Sequence, residues 1–146
     1  MAKYYLSGPI AALDPMGNKP SQELMDARKK DFFRVQEILS AGRVREVTNP
    51  VEIEACGKDY WFCDGAVTGE HDWMCYLRYD LREVVMSNYI VLLEGWHRSP
   101  GALLELHVGL LVQACPLFWR DSLKWYQNEP VGAEALEVFE REMKRV

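Results

Sequence analysis

Two acidic residues of this sequence stand where helices should be apolar. Glu105 lies within the leucine-rich run 103–106, and a charged side chain in such surroundings needs a partner or a chemical role. Asp80 follows Leu77 by three residues and precedes Val84 by four, so it shares the apolar face of its helix. Buried carboxyl groups with shifted pKa values are typical of catalytic sites. The alternatives are a carboxylate paired at the helix edge for Glu105 and a solvated one for Asp80.

Three other features offer groups that could bind a ligand. Tyr5 lies in a buried strand, where its hydroxyl needs a hydrogen-bond partner, although core packing is the simpler interpretation. Ser99 and Gly101 begin a helix whose first N–H groups can bind an anion, or Ser99 can be an ordinary helix cap. Trp96, in the loop before that helix, can form a wall of a base pocket or pack inward.

Four residues could in principle bind a zinc ion: Cys56, Cys63, His71 and Cys75. Their spacing lacks the short C-x-x-C segment that makes a zinc site recognisable. The alternative is that these thiols are scattered and reduced, as in most cytosolic proteins of this size. We therefore expect no metal and no cofactor.

Hydrophobic periodicity and turn residues predict alternating strands and helices. Strands are expected at 4–7, 44–48, 89–93 and 116–119, and helices at 21–41, 73–87, 100–114 and 132–146. The first helix has one apolar face, formed by Leu24, Met25, Phe32, Val35, Ile38 and Leu39. The helix that begins at Pro100 is apolar nearly all round, so it is expected to be buried. Residues 51–72 are expected to form a long loop.

This order predicts a single α/β domain over residues 1–146, Rossmann-like or flavodoxin-like, with a parallel sheet of four to five strands and helices on both faces. In such sheets ligands bind at the carboxyl ends of the strands. The loops after residues 7, 48 and 94 should therefore meet at one edge. They carry Gly8-Pro9, Asn49-Pro50 and the segment from Gly95 to Gly101.

Composition and charge limit the class of protein. The 146 residues include 17 basic and 22 acidic side chains, for a formal net charge of −5, and 49% of the residues are hydrophobic. That is typical of one globular domain, and the acidic balance argues against a nucleic acid polymer as partner. No apolar run is long enough to span a bilayer, and the first ten residues do not form a signal peptide. We therefore expect a cytoplasmic protein that does not bind membranes.

Five segments follow one another in a recognisable order. They are Tyr4-Tyr5-Leu6-Ser7-Gly8-Pro9-Ile10, Asn49-Pro50, Asp80-Leu81, Leu92-Leu93-Glu94-Gly95-Trp96 and Ser99-x-Gly101-Ala102-x-x-Glu105. Together they resemble the nucleoside 2-deoxyribosyltransferase superfamily, in particular its small phage and bacterial members. The resemblance covers residues 3–119. The superfamily includes the 2′-deoxynucleoside 5′-phosphate N-hydrolases and the pyrimidine-nucleotide hydrolases.

The resemblance implies a role for each matching position. Glu105 falls on the catalytic glutamate, the nucleophile toward C1′ of the sugar, and Tyr5 falls on the tyrosine that orients it. Asp80 falls on the aspartate that assists protonation of the base. The positions that would bind the substrate are Gly8, Pro9, Ile10, Asn49, Trp96, Ser99 and Gly101, the last two at its 5′ end. These roles suit a reaction that develops oxocarbenium charge on the sugar and must protonate the leaving base.

The expected activity is hydrolysis of the N-glycosidic bond of a 2′-deoxynucleoside 5′-monophosphate by a homodimer or higher oligomer. Ala11-Ala12-Leu13 stands where the nucleotide hydrolases often have a basic residue, so Arg98 or Lys19 would have to substitute. One alternative is base exchange by a deoxyribosyltransferase. The others are a nucleotide-binding module that has lost turnover, and a structural protein that uses its acidic surface.

Overall fold

Strands and α-helices alternate along the chain. The structure is a computed structural model that describes residues 2–14, 16–41, 45–52, 73–120 and 124–125. The strands are β1 (Ala2–Ser7), β2 (Arg45–Thr48), β3 (Tyr89–Leu92), β4 (Cys115–Arg120) and β5 (Lys124–Trp125), and the helices are α1 (Gln22–Ser40), α2 (Trp73–Val85) and α3 (Pro100–Leu111). Short 3₁₀ turns occupy Pro50–Glu52 and Trp96–Arg98.

The strands form one sheet in the order β2-β1-β3-β4-β5. The first four are parallel, and β5 pairs with β4 in the antiparallel sense. This is the strand order of the flavodoxin-like folds, so the predicted α/β class is confirmed. The strand β1 has neighbours on both sides: Tyr5 is paired with Thr48 of β2 and with Ile90 of β3. Residues at the carboxyl end of β1 therefore lie at the middle of the sheet edge.

Helices cover both faces of the sheet. Leu6 and Val91 pack against buried residues of α1, namely Phe32, Val35 and Leu39. Tyr5 and Ile90 pack on the other face against residues of α2 and α3, namely Val84, Ala102, Leu103 and Leu106. Successive strand residues point to opposite faces. Tyr5 and Ser7 therefore share the face that α3 covers.

The two predicted serine caps are confirmed. The N–H of Leu24 donates to Ser21 Oγ at 3.1 Å, and the N–H of Ala102 donates to Ser99 Oγ at 3.2 Å. Each bond satisfies one of the N–H groups that the first turn of a helix leaves without a backbone acceptor. The start of α3, which precedes Glu105, is thus set by its own sequence.

Some details of the predicted helices are wrong. Ile38 of α1 is 40% exposed, although its neighbour Leu39 is buried. The helix α3 ends at Leu111 and not at Ala114, because Gln113 has a φ of 63° and turns the chain out of the helix. Leu111 is 70% exposed, so α3 is buried on one side only.

Other predictions fall on residues outside the described ranges. They concern most of the loop at 51–72, the cysteines and histidine Cys56, Cys63 and His71, and the C-terminal helix at 132–146. Within the described part of the chain there is no group of three or more residues arranged to hold a metal ion. None of the described helices is both long enough and apolar enough to cross a membrane.

Candidate functional site

Glu105 is held between α3 and the end of β1. The hydroxyl of Tyr5 donates to Glu105 Oε2, and Ser7 Oγ donates to Glu105 Oε1 at 3.1 Å. The side chain of Glu105 is 6% exposed, and those of Tyr5 and Ser7 are 0% exposed. The structure therefore brings Tyr5 and Glu105 together and gives each oxygen of the buried carboxyl group one hydrogen-bond donor.

A glycine allows α3 to approach the sheet closely on the face that bears Glu105. Gly109 lies one turn after Glu105, and a Cβ there would lie 2.8 Å from Ile90 Cγ1. Because any larger residue would force the helix away from β3, Gly109 keeps α3 near the sheet. That short separation lets the Glu105 carboxyl group reach the side chains of β1.

Asp80 supplies a second carboxyl group on the same side of the sheet. It is partly buried on α2, which packs against α3. Burial raises the pKa of Asp80 to about 7. Burial also raises the pKa of Glu105 to about 8; the hydrogen bonds from Tyr5 and Ser7 oppose this shift, and the charge of Asp80 adds to it.

The two carboxyl groups have pKa values that suit acid–base chemistry. Their charges repel, and burial raises both pKa values toward neutrality, so they behave as a coupled pair in which ionisation of one group disfavours ionisation of the other. Hydrogen bonds to an ionised carboxylate favour the ionised form, and they are donated to Glu105. The higher pKa of Glu105 places the proton of the singly protonated pair there, so the pair presents a nucleophilic carboxylate at Glu105 and an acid at Asp80 only when that proton lies on Asp80 instead.

The variant Glu105→Gln is expected to lose a pH dependence of folding stability. Burial holds the pKa of Glu105 at about 8 in the folded protein, above its ordinary value of 4.5. Between these pH values the unfolded chain releases the proton and the folded protein keeps it, so the free energy of unfolding falls as pH rises, by at most about 1.4 kcal/mol per pH unit. Denaturant unfolding of wild type and variant across this range measures the effect. A stability difference between the two proteins that stays constant with pH would contradict it.

The loop after β1 packs tightly at the sheet edge. A Cβ at Gly8 would lie 2.9 Å from Leu93 Cβ, and a Cβ at Gly95 would lie 3.2 Å from Pro9 Cγ. Gly95 also has a φ of 85°, a conformation that favours glycine. Because neither glycine can be enlarged without a shift, the loops after β1 and β3 meet closely beside the end of β1.

Arg28 of α1 holds the next part of the first loop. Its Nη1 donates to the carbonyl oxygens of Ile10 at 3.1 Å and Ala12 at 2.7 Å. Burial lowers the pKa of Arg28, and the charge of Arg98 lowers it further. Two guanidinium groups thus lie near each other between the first loop and the start of α3, where positive charge favours an anionic ligand.

The N-terminus of α3 adds polar groups to this region. Ser99 is 7% exposed and caps the helix, while its hydroxyl hydrogen remains able to donate. A Cβ at Gly101 would meet only Ser99 Oγ, at 3.8 Å, so open space lies in front of this glycine. Pro100 has no N–H, and the N–H groups of Ala102 and Leu103 donate to Ser99, so the N–H of Gly101 is the group of this turn that a ligand can approach.

Two predicted substrate-binding residues have structural partners. Trp96 is 7% exposed and stacks on Phe118 at 5.5 Å between ring centroids, so the inward-packed alternative is the one that the structure shows. Asn49 is 2% exposed; its Nδ2 donates to Gln36 Oε1 at 3.1 Å, and its Oδ1 accepts from the N–H of Val51 at 3.0 Å. Asn49 thus ties the loop after β2 to α1, and the structure does not bring it to Glu105.

The sequence reasoning missed Ser7. Its hydroxyl contacts Glu105, a residue 98 positions away. The available signal was its spacing of two residues from Tyr5, which places both side chains on one face of a strand. Pairing that spacing with a buried acid on another element would have identified it.

Comparison with known proteins places the chain in a family. The family model described as Domain of unknown function (DUF4406) matches residues 2–114. The chain belongs to this family. The range matched by DUF4406 contains all four positions of the site: Tyr5, Ser7, Asp80 and Glu105.

A solved structure supports the fold of this DUF4406 protein. The crystal structure of a conserved protein from Enterococcus faecalis V583 has 18% sequence identity and a TM-score of 0.53, covering 96% of this chain and 75% of that one. At this identity the likeness shows the fold alone. No curated protein matches the chain.

Proposed function

We infer that this protein cleaves the N-glycosidic bond of a 2′-deoxynucleoside 5′-monophosphate and releases a free base and a sugar phosphate. The observation that carries the proposal is the buried carboxyl group of Glu105, which accepts one hydrogen bond on each oxygen and whose pKa is raised further by the charge of a second acid, Asp80. The resemblance of the ordered segments to the deoxyribosyltransferase superfamily supports it. A pure binding module would not need this pair of acids, one buried and one partly buried.

The carboxyl pair can carry out both halves of the reaction. Asp80 protonates the leaving base as the C1′–N bond breaks, and an oxygen of ionised Glu105 forms a bond to C1′. Water then attacks C1′, the bond from C1′ to Glu105 breaks, and the proton released by water returns to Asp80. Both carboxyl groups are thereby restored to their starting protonation states.

The start of α3 suits the phosphate of the substrate. Ser99 can donate its hydroxyl hydrogen, and Gly101 leaves space for an anion to approach its own N–H at the start of the helix. Arg98, an exposed residue immediately before Ser99, brings a positive charge to the same end. These groups supply the basic character that Ala11-Ala12-Leu13 lacks.

The proposal predicts that deoxynucleoside monophosphates are cleaved much faster than the matching nucleosides. Ser99→Asp should reduce this preference by about 10- to 100-fold, because a carboxylate repels a phosphate and the pair is partly screened. Aspartate is also a good helix cap, so α3 should still form. Chromatographic rates of base release from each nucleotide and its nucleoside measure the ratio.

A matched control is available at the other serine cap. Ser21 caps α1 through the N–H of Leu24, as Ser99 caps α3, so Ser21→Asp makes the same change away from the site. For Ser21→Asp, the ratio of the nucleotide rate to the nucleoside rate should equal that of wild type. The phosphate assignment fails if wild type prefers nucleosides, or if Ser99→Asp leaves the ratio unchanged.

A further inference from the structure

Ser7 stands at the end of the central strand with its side chain fully enclosed. It is 0% exposed, and its carbonyl oxygen accepts a hydrogen bond from the N–H of Leu93 at 2.8 Å. Ser7 is also paired with Leu92 in the register of β1 and β3. Its position is therefore set by the sheet. Its hydroxyl lies on the face of the sheet that α3 covers, where it contacts Glu105.

We propose that Ser7 is a positioning residue that, together with Tyr5, holds the Glu105 carboxylate in its reactive orientation and favours its ionised form. This inference rests on the proposed role of Glu105 as nucleophile. Nothing in the resemblance assigns a role to Ser7, and its contact with Glu105 is a feature of the structure.

The last torsion of the Glu105 side chain decides how the plane of its carboxyl group is oriented. The final torsion, between an sp³ and an sp² carbon, has a broad minimum and fixes a carboxyl group poorly. Tyr5 donates to Oε2 and Ser7 donates to Oε1. Since both donors come from the same strand, the two bonds together set the plane of the carboxylate, whereas one alone would leave it free to turn.

Burial affects how readily Glu105 ionises. Glu105 is 6% exposed, and its burial disfavours the ionised form that a nucleophile needs. Each hydrogen bond to the carboxylate opposes this effect, since a donor favours the charged form. Loss of the Ser7 hydroxyl should therefore make Glu105 harder to ionise, even if the fold is unchanged.

The test is Ser7→Ala, followed by two measurements. The first is the titration of Glu105, obtained from the carboxyl infrared difference between each protein and its Glu105→Gln counterpart. The second is the pH profile of kcat/KM for base release. Both the titration midpoint and the acid limb of the profile should move to higher pH by about one unit in Ser7→Ala, the size expected for loss of a hydrogen bond to a charged group. Ser7→Cys, which keeps a weak donor, should give a midpoint between those of wild type and Ser7→Ala.

The control is Ser87→Ala. Ser87 is also a buried serine, and its Oγ donates to the carbonyl oxygen of Glu83 at 2.7 Å. Its loss should lower stability without moving either midpoint. If Ser7→Ala and Ser7→Cys leave the Glu105 midpoint at its wild-type value, Ser7 has a merely structural role and the inference is wrong. The titration does not need turnover, so absence of base release in wild type would overturn the proposed function alone.

Discussion

Replacing Glu105 with glutamine is expected to lower base release by roughly 10⁴-fold or more, because an amide cannot attack C1′. Glutamine keeps the shape of the side chain and can still exchange hydrogen bonds with the hydroxyls of Tyr5 and Ser7. The protein should therefore keep its fold. The measurement is kcat for base release, with circular dichroism and denaturant unfolding as the record of folding.

The matched control for this variant is Glu37→Gln. Glu37 is exposed on α1, on the opposite face of the sheet from Glu105, so the same change in charge should leave turnover unaltered. A folded Glu105→Gln protein with near wild-type turnover would show that the nucleophile assignment is wrong.

Asp80→Asn is expected to cause a loss that depends on the leaving group. Asparagine has nearly the same shape but cannot protonate the base, so natural nucleotides should lose about 10²- to 10⁴-fold in kcat. An activated analogue whose base departs as a stable anion needs no proton and should lose far less. Rates for the two substrates, measured with wild type and variant, give the comparison.

A second aspartate provides the control for Asp80→Asn. Asp26 is exposed on α1 and accepts a hydrogen bond from Gln22, so Asp26→Asn should change neither rate. Equal losses on the natural and the activated substrate would indicate that Asp80 is a structural residue and not the acid.

The fold could be predicted because its signals are local. The caps Ser21 and Ser99 and the apolar run of β3 each act over a few residues, and their order along the chain was enough to predict an α/β sheet. The ends of helices and strands were harder to predict. The residue that ends α3 with a left-handed φ is Gln113. Because it is neither glycine nor asparagine, the sequence does not indicate the end of the helix there.

The site could be predicted in part, because a charged residue in an apolar helix is anomalous in sequence alone. Glu105 and Asp80 have that property, and the structure places them on adjacent helices. The stacking of Trp96 on Phe118 and the contact of Ser7 with Glu105 instead join residues that are 22 and 98 positions apart in the sequence. Contacts at such distances along the chain follow from the packing of α3 on the sheet, which periodicity does not specify.

The most direct test of the account is chromatographic detection of free base after incubation with a panel of deoxynucleosides, ribonucleosides and their 5′-monophosphates. Wild type and Glu105→Gln are compared in parallel. Wild type is expected to release free base from deoxynucleoside monophosphates, and Glu105→Gln is not. Release from no member of the panel, or equal release by the two proteins, would show that Glu105 does not cleave an N-glycosidic bond in these substrates.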